Sequence, residues 1–187
     1  MTKYILHGGF SKLDNPDNLK LFKEITITLP KKAHILFNYY SYPNDVWHEY
    51  FVYDKQQFIT ACPNKALSFE IANKETFSKQ LQIADALWIL GGGETESLLR
   101  MLRQVKNFKK LLQNKVVGVS SAGTYCLSKY FWNSEKNKID KGLGLLNITT
   151  VCHYAQDRLP RVTALKKFAP DLPILVIPDH KYSVFYN

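Results

Sequence analysis

The run of small residues Ser120–Gly123 is the stretch of this sequence best suited to chemistry. It follows the apolar, β-branched segment Val116–Val119 and precedes residues that can begin a helix. A strand that turns sharply through small residues into a helix is the geometry that presents a nucleophilic serine. The free N–H groups at the start of such a helix stabilise developing negative charge. Ser121 is therefore the candidate nucleophile, and the alternative is an ordinary strand–helix junction in which Ser120 or Ser121 caps the helix.

A serine attacks poorly unless a base takes its proton, so a histidine should lie within reach. His153 ends the strand-like run Ile148–Cys152 and follows Ser121, which is the chain order of α/β-hydrolase triads. His7, at the end of the first apolar run, is a second candidate base. A plain strand-end histidine is the alternative for His153. The remaining histidines suit a strand or the surface better: His34, His48 and His180.

An acid should orient the histidine and stabilise its charged form. Glu135 and Asp140 lie between Ser121 and His153, and Asp157 lies just beyond. Position in the chain does not choose among these three acids, and each taken singly also suits a solvated surface.

A second small-residue turn, Gly91–Gly93, separates an apolar strand from a helix-like segment. It lacks the lysine and the longer glycine pattern of a phosphate-binding loop. One glycine N–H of this turn, together with the N–H of Ala122, could form an oxyanion hole. The alternative is a tight turn that needs glycine only for a positive φ. Both interpretations are compatible with each other.

Strands alternate with helices from Tyr4 to about Leu127, which predicts an α/β fold with a mainly parallel sheet and helices on both faces. The absence of a linker or repeat favours a single domain over residues 1–187. Active sites of such sheets lie beyond the carboxyl ends of the strands. The turns Gly8–Gly9, Gly91–Gly93 and Ser120–Gly123 all follow predicted strands, so we expect them to meet at one edge.

The charge distribution, the apolar runs and the cysteine count exclude several classes of function. The chain has 187 residues, and its net charge of +9 is spread along the sequence without an arginine-rich arm. We expect no specific nucleic-acid binding and no membrane association, because no apolar run approaches the roughly 20 residues of a membrane span. The cysteine count of 3 and the lack of a signal peptide predict a reducing, cytoplasmic setting. No motif indicates a cofactor or a metal.

The ordered motifs resemble those of the aspartyl dipeptidase (peptidase E) and cyanophycinase family. The segment Trp88–Thr95, followed by Leu98 and Leu99, is similar to its strand-Gly-Gly-Gly-Asn-Thr-helix motif, with Glu94 in place of the asparagine. Ser121-Ala122-Gly123 resembles its nucleophile turn, and Cys152-His153-Tyr154 resembles the segment of its catalytic histidine. The resemblance covers nearly the whole chain in order.

The resemblance implies the class I glutamine amidotransferase-like fold, a flavodoxin-like three-layer α/β/α sandwich. It also implies a serine peptidase or dipeptidase that works through an acyl-enzyme, with Ser121 as nucleophile and His153 as general base. It further implies an oxyanion hole formed by Gly92 and Ala122. Glu135 best fits the acid that the resemblance implies, and Asp140 is the second choice. The expected partner is a small peptide, and the positive net charge favours acidic ones; a monomer and a homodimer are both compatible.

A catalytically silent or regulatory member of the same fold is the main alternative. It is motivated by Val119, which stands where the Gly-x-Ser-x-Gly pattern has glycine, and by Glu94. A glutamine amidotransferase module ranks last, because its nucleophile would be a cysteine and the turn carries Ser121.

Overall fold

Short buried strands and amphipathic helices alternate through the computed structural model, which describes residues 1–11 and 15–187. The strands in these ranges are β1 (Lys3–His7), β2 (Lys32–Asn38), β3 (Ala66–Ile71), β4 (Ala86–Ile89), β5 (Val116–Ser120), β6 (Tyr130–Asn133), β7 (Lys138–Lys141), β8 (Thr149–Cys152), β9 (Ile174–Ile177) and β10 (Tyr182–Tyr186). The α-helices are α1 (Pro16–Thr26), α2 (Trp47–Ala61), α3 (Phe77–Ile83), α4 (Thr95–Arg103), α5 (Phe108–Leu111), α6 (Ala122–Leu127) and α7 (Leu159–Phe168). Short 3-10 turns occur at Asn44–Val46 and Gln156–Arg158.

The larger sheet has six strands in the order β10-β1-β5-β4-β2-β3, and its pairs are parallel except for the edge strand β10. The register pairs Leu6 with Val119 and His7 with Ser120. The carboxyl ends of β1 and β5 therefore lie side by side. The prediction of an α/β fold with a mainly parallel sheet is confirmed.

Helices cover both faces of this sheet. Successive residues of a strand point to opposite faces, so both faces present apolar side chains that the helices bury. Ile5 belongs to one buried cluster, together with Phe22 of α1 and Phe58 of α2. Its neighbour Leu6 belongs to the other cluster, together with side chains from α3 to α6 such as Leu98. The arrangement is the expected three-layer α/β/α sandwich, with its core divided by the sheet.

A second sheet of four strands, in the order β7-β6-β8-β9, was not anticipated from the sequence. The polar segment Trp132–Lys141 contributes to an antiparallel hairpin, in which Phe131 pairs with Asp140. Strands β8 and β9 are parallel, with Cys152 paired to Ile177. Each strand has four residues, too few for a clear period in the sequence. The register of β8 and β9 decides which residues meet beyond their ends.

The thiols are all free, and two of them lie in the core. Burial raises the pKa of the Cys152 thiol to about 12 and also raises the pKa of Cys126. These groups therefore stay protonated and act as small apolar side chains. Over the described ranges, the helices are all too short or too polar to cross a membrane.

Candidate active site

Ser121 lies at the sharp turn between β5 and α6, with φ 45° and ψ −104°. This conformation is strained for a residue with a side chain, so surrounding contacts must hold it. The Ser121 N–H donates to the carbonyl of His7 at 3.0 Å, and Thr124 Oγ1 donates to the same carbonyl at 3.0 Å. The Ser121 carbonyl accepts from the N–H of Tyr125 at 3.1 Å, within the first turn of α6. The turn is thereby anchored to the end of β1.

The structure brings Ser121 and His153 together. Ser121 Oγ lies 2.7 Å from Nε2 of His153, across 32 residues of sequence. The backbone N–H of His153 donates to the carbonyl of Gly8 at 3.1 Å, so the loop after β1 holds the histidine backbone in place. A Cβ atom at Gly9 would stand 2.0 Å from Cε1 of His153, so any larger residue there would displace the ring. Gly9 also has φ +136°, which favours glycine in its own right.

The acid that contacts His153 is Asp179, which sequence reasoning did not select. Nδ1 of His153 lies 2.6 Å from Oδ1 of Asp179. Strand β8 ends at Cys152 and β9 ends at Ile177, and these two residues are paired. His153 and Asp179 therefore emerge at the same edge of the second sheet. The sequence does contain a signal for Asp179, because this acid closely follows the apolar strand in the run Ile174–Asp179. The acids considered from the sequence were closer to His153 in the chain.

The hydrogen bond at His153 Nδ1 is made by Asp179 and not by Glu135, the acid expected there from the family resemblance, nor by Asp140 or Asp157. Glu135 is exposed in the turn between β6 and β7, and its N–H donates to Asn133 Oδ1 at 3.0 Å. Asp140 accepts a hydrogen bond from Asn133 Nδ2 at 2.8 Å and pairs with Lys138 at 3.3 Å. Asp157 is exposed in the 3-10 turn after β8. In the hairpin, Asn133 is therefore the hydrogen-bond partner of both Glu135 and Asp140.

His7, the second candidate base, contacts the neighbouring serine instead. Its Nδ1 lies 3.1 Å from Ser120 Oγ and accepts from the N–H of Gly9 at 3.3 Å. Burial lowers the pKa of His7 to about 3, so the ring is neutral at physiological pH. His7 therefore holds the turn after β1 next to the end of β5.

The glycine turn after β4 packs directly against the Ser121 turn. A Cβ atom at Gly91 would lie 1.9 Å from the carbonyl oxygen of Ser120 and 2.8 Å from the nitrogen of Ala122. Only glycine permits this approach. Tyr42 Oη donates to the Gly91 carbonyl at 2.9 Å and fixes the turn from its other side. Gly92 consequently borders Ser121 along with Ala122, the first residue of α6.

A cavity of about 420 Å³ opens on one side of Ser121 and His153. We call it the aromatic cavity, because four aromatic side chains line it together with two acids. Its lining consists of Phe10, Ser11, Tyr42, Glu49, Tyr50, Tyr53, Asp54, Leu90, Gly91, Gly92, Ser120, Ser121 and His153.

A smaller cleft of about 260 Å³ lies on the other side of Ser121. Gly92, Ala122, Glu135 and Arg158 are among the residues that line it. Nη1 of Arg158 donates to the Cys152 carbonyl at 2.9 Å, which holds the guanidinium beside the end of β8. Two separate spaces therefore border Ser121 and His153.

Comparison with known proteins identifies the class of protein that this fold and site define. Residues 8–186 match the sequence pattern of Peptidase family S51. The chain belongs to this family and is a serine-type peptidase.

Solved structures agree with the fold. A peptidase from an acI-B1 Actinobacterium superposes with a TM-score of 0.66 at 17% identity, covering 99% of this chain and 83% of the other. A proposed peptidase E protein from Listeria monocytogenes EGD-e superposes with a TM-score of 0.62 at 19% identity, covering 100% of this chain and 99% of the other. No curated protein matches the chain.

Proposed function

We propose that this protein hydrolyses short peptides through a Ser121–His153–Asp179 triad. The observation that carries the proposal is the continuous chain of contacts, 2.7 Å from Ser121 Oγ to His153 Nε2 and 2.6 Å from His153 Nδ1 to Asp179 Oδ1. These are the distances that proton transfer and orientation of the base require. The strained backbone of Ser121 then corresponds to a nucleophile elbow.

In the first step, Ser121 Oγ attacks the carbonyl carbon of the scissile bond while His153 Nε2 takes the hydroxyl proton. Asp179 holds the ring so that Nε2 faces the serine, and it stabilises the imidazolium that forms. The protonated histidine then gives its proton to the leaving amine as the C–N bond breaks. The product of this step is an acyl-enzyme ester on Ser121.

In the second step, water attacks the ester carbonyl while His153 accepts one of its protons. The proton returns to Ser121 Oγ as the acyl C–O bond breaks, which releases the carboxylic acid product. The negative oxygen of each tetrahedral intermediate needs hydrogen-bond donors. The N–H of Ala122, which has no partner within its own helix, and the N–H of Gly92 are the donors we assign.

Labelling with a fluorophosphonate probe tests this function. The probe phosphonylates only an activated serine, so intact-mass analysis should show one adduct on the wild-type protein and none on Ser121→Ala. Ser78→Ala, at an exposed serine of α3, is the matched control and should label like the wild type. A folded wild-type protein that neither labels nor cleaves a broad mixture of short peptides would refute the proposal and favour a catalytically silent member.

The compartment is a separate expectation. Three free cysteines are compatible with the cytoplasm, which we propose as the site of action.

A further inference from the structure

The aromatic cavity contains the chemistry of a cation site. Asp54, on α2, lines it and is only 1% exposed. Oδ2 of Asp54 accepts hydrogen bonds from Trp88 Nε1 at 2.9 Å and from Tyr39 Oη at 3.1 Å. Its Oδ1 accepts from Gln57 Nε2 at 3.1 Å. The carboxyl group is thus held rigidly at the wall of a cavity that reaches the nucleophile.

Aromatic rings form much of the remaining wall. The rings of Tyr42 and Tyr50 stand 4.5 Å apart between centroids, and Tyr42 is fixed through its hydroxyl to Gly91. Phe10 lies on the His153 side, with its ring edge-on to the imidazole at 5.5 Å. The negative faces of such rings attract cations, most strongly where water is excluded.

The charge of the lining points the same way. Glu49, exposed and on the same helix as Asp54, adds a second acid to the lining. Within the described part of the chain, neither lysine nor arginine lines this cavity. An acidic substrate group placed here would meet the two acids of the described lining. The expectation of acidic peptides rested on the net charge and on the family resemblance, and not on the lining of this cavity.

We propose that the aromatic cavity binds a cationic side chain of the peptide substrate, a guanidinium or an alkyl ammonium. The apolar part of such a side chain would lie along the tyrosine rings, with its charge directed to Asp54 and Glu49. Burial raises the pKa of Asp54 because it disfavours the charged carboxylate. A cation bound beside Asp54 favours the carboxylate and so offsets the cost of burying its charge. The inference rests on the proposed function only in calling the ligand a substrate.

Binding to the inactive variant Ser121→Ala tests the cavity without turnover. The probes are the dipeptides Arg-Ala and Ala-Arg, their citrulline counterparts, which are nearly isosteric and neutral, and Asp-Ala. We expect at least one arginine dipeptide to bind about tenfold more tightly than its citrulline counterpart and than Asp-Ala. The indole N–H resonance of Trp88, which contacts Asp54, should shift during that titration. Trp47→Phe and Trp132→Phe variants assign it by elimination.

Two substitutions locate the effect. Glu49→Gln should reduce the preference for arginine over citrulline several-fold, whereas Asp45→Asn should leave it intact, because Asp45 is exposed beside the same helix but does not line the cavity. Asp54→Asn should abolish the preference. If that variant does not fold, the affinity ratios measured on Ser121→Ala and the effect of Glu49→Gln still test the proposal.

Equal affinity for arginine and citrulline dipeptides, or tighter binding of Asp-Ala, would overturn the inference. Labelling of Ser121 by the fluorophosphonate without any cation preference would leave the hydrolase proposal standing and remove the cation site alone. A preference for cationic dipeptides in a protein that the fluorophosphonate never labels would support the cation site and remove the hydrolase proposal.

Discussion

His153 Nδ1 and Asp179 Oδ1 lie 2.6 Å apart, although 26 residues separate them in the sequence. The pair is about one-third exposed, with side-chain exposures of 27% and 37%. An acid at Nδ1 fixes the tautomer in which Nε2 can accept a proton from Ser121. The contact therefore links the second sheet to the edge of the first sheet, where Ser121 lies.

Replacing this acid should slow the reaction strongly. We expect Asp179→Asn to lower kcat by a factor of about 10⁴ or somewhat less, with a smaller change in KM, because the amide stabilises the wrong tautomer. Steady-state hydrolysis of a peptide substrate measures both constants. Asp157→Asn removes an exposed acid nearby and serves as the control. A loss with Glu135→Gln as large as that with Asp179→Asn would show that Asp179 is not the orienting acid.

Gly9 should be essential to activity for a steric reason. In Gly9→Ala, the new Cβ would collide with the His153 ring, and we expect kcat/KM to fall about 10²-fold or more as the base moves. Gly144→Ala is the matched control: Gly144 also has a positive φ, +67°, but a Cβ there meets no atom within 4 Å. Both variants should lose thermal stability, measured by the midpoint of unfolding, and Gly9→Ala should lose more because the collision adds to the strain at positive φ. An active Gly9→Ala protein would contradict the tight contact.

The contribution of Asp54 to stability should decrease as pH rises from about 4 to 7. Its folded pKa is raised to about 7, from 3.8, so in this window the folded state retains a proton that the unfolded state has released. Each tenfold difference in proton affinity between the two states corresponds to about 1.4 kcal/mol, which predicts a decline of a few kcal/mol. Urea unfolding at several pH values measures this contribution as the difference between the wild type and Asp54→Asn. That difference should decrease by a few kcal/mol as pH rises from about 4 to 7, and identical slopes for the two proteins would exclude the buried protonated acid.

His7 should act in the opposite direction at lower pH. Its folded pKa is lowered to about 3, from 6.5, so between these values the unfolded state binds a proton that the folded state excludes. The contribution of His7 to stability should therefore fall as pH decreases from about 6.5 to 3, by a few kcal/mol in total. Because this range overlaps that of Asp54, the contribution is measured as the difference between the wild type and His7→Asn in the same unfolding series. His48→Asn, at an exposed histidine of α2, should keep the wild-type dependence.

Local features of the site were readable from the sequence because residue type constrains the backbone directly. Small residues at Ser120–Gly123 and Gly91–Gly93 marked turns that larger side chains cannot form. Apolar runs of strand length alternating with helical patterns predicted the parallel sheet and the edge at which its turns meet. Ser121 and His153 follow from those features, together with the chemistry that a serine needs.

Tertiary structure decided the partners. Asp179 replaces Glu135 at His153 because the register of β8 with β9, and the hairpin formed by β6 and β7, depend on pairings between segments that no local pattern specifies. In the sequence, Asp54 is an ordinary residue of a predicted helix. Only the packing of α2 against the sheet places it in the wall of a cavity beside Ser121. The sequence by itself thus determined the fold class and singled out Ser121 and His153 as candidates. The contact of Asp179 with His153 and the lining of the aromatic cavity were determined by long-range packing, in which each side chain's surroundings come from distant parts of the chain.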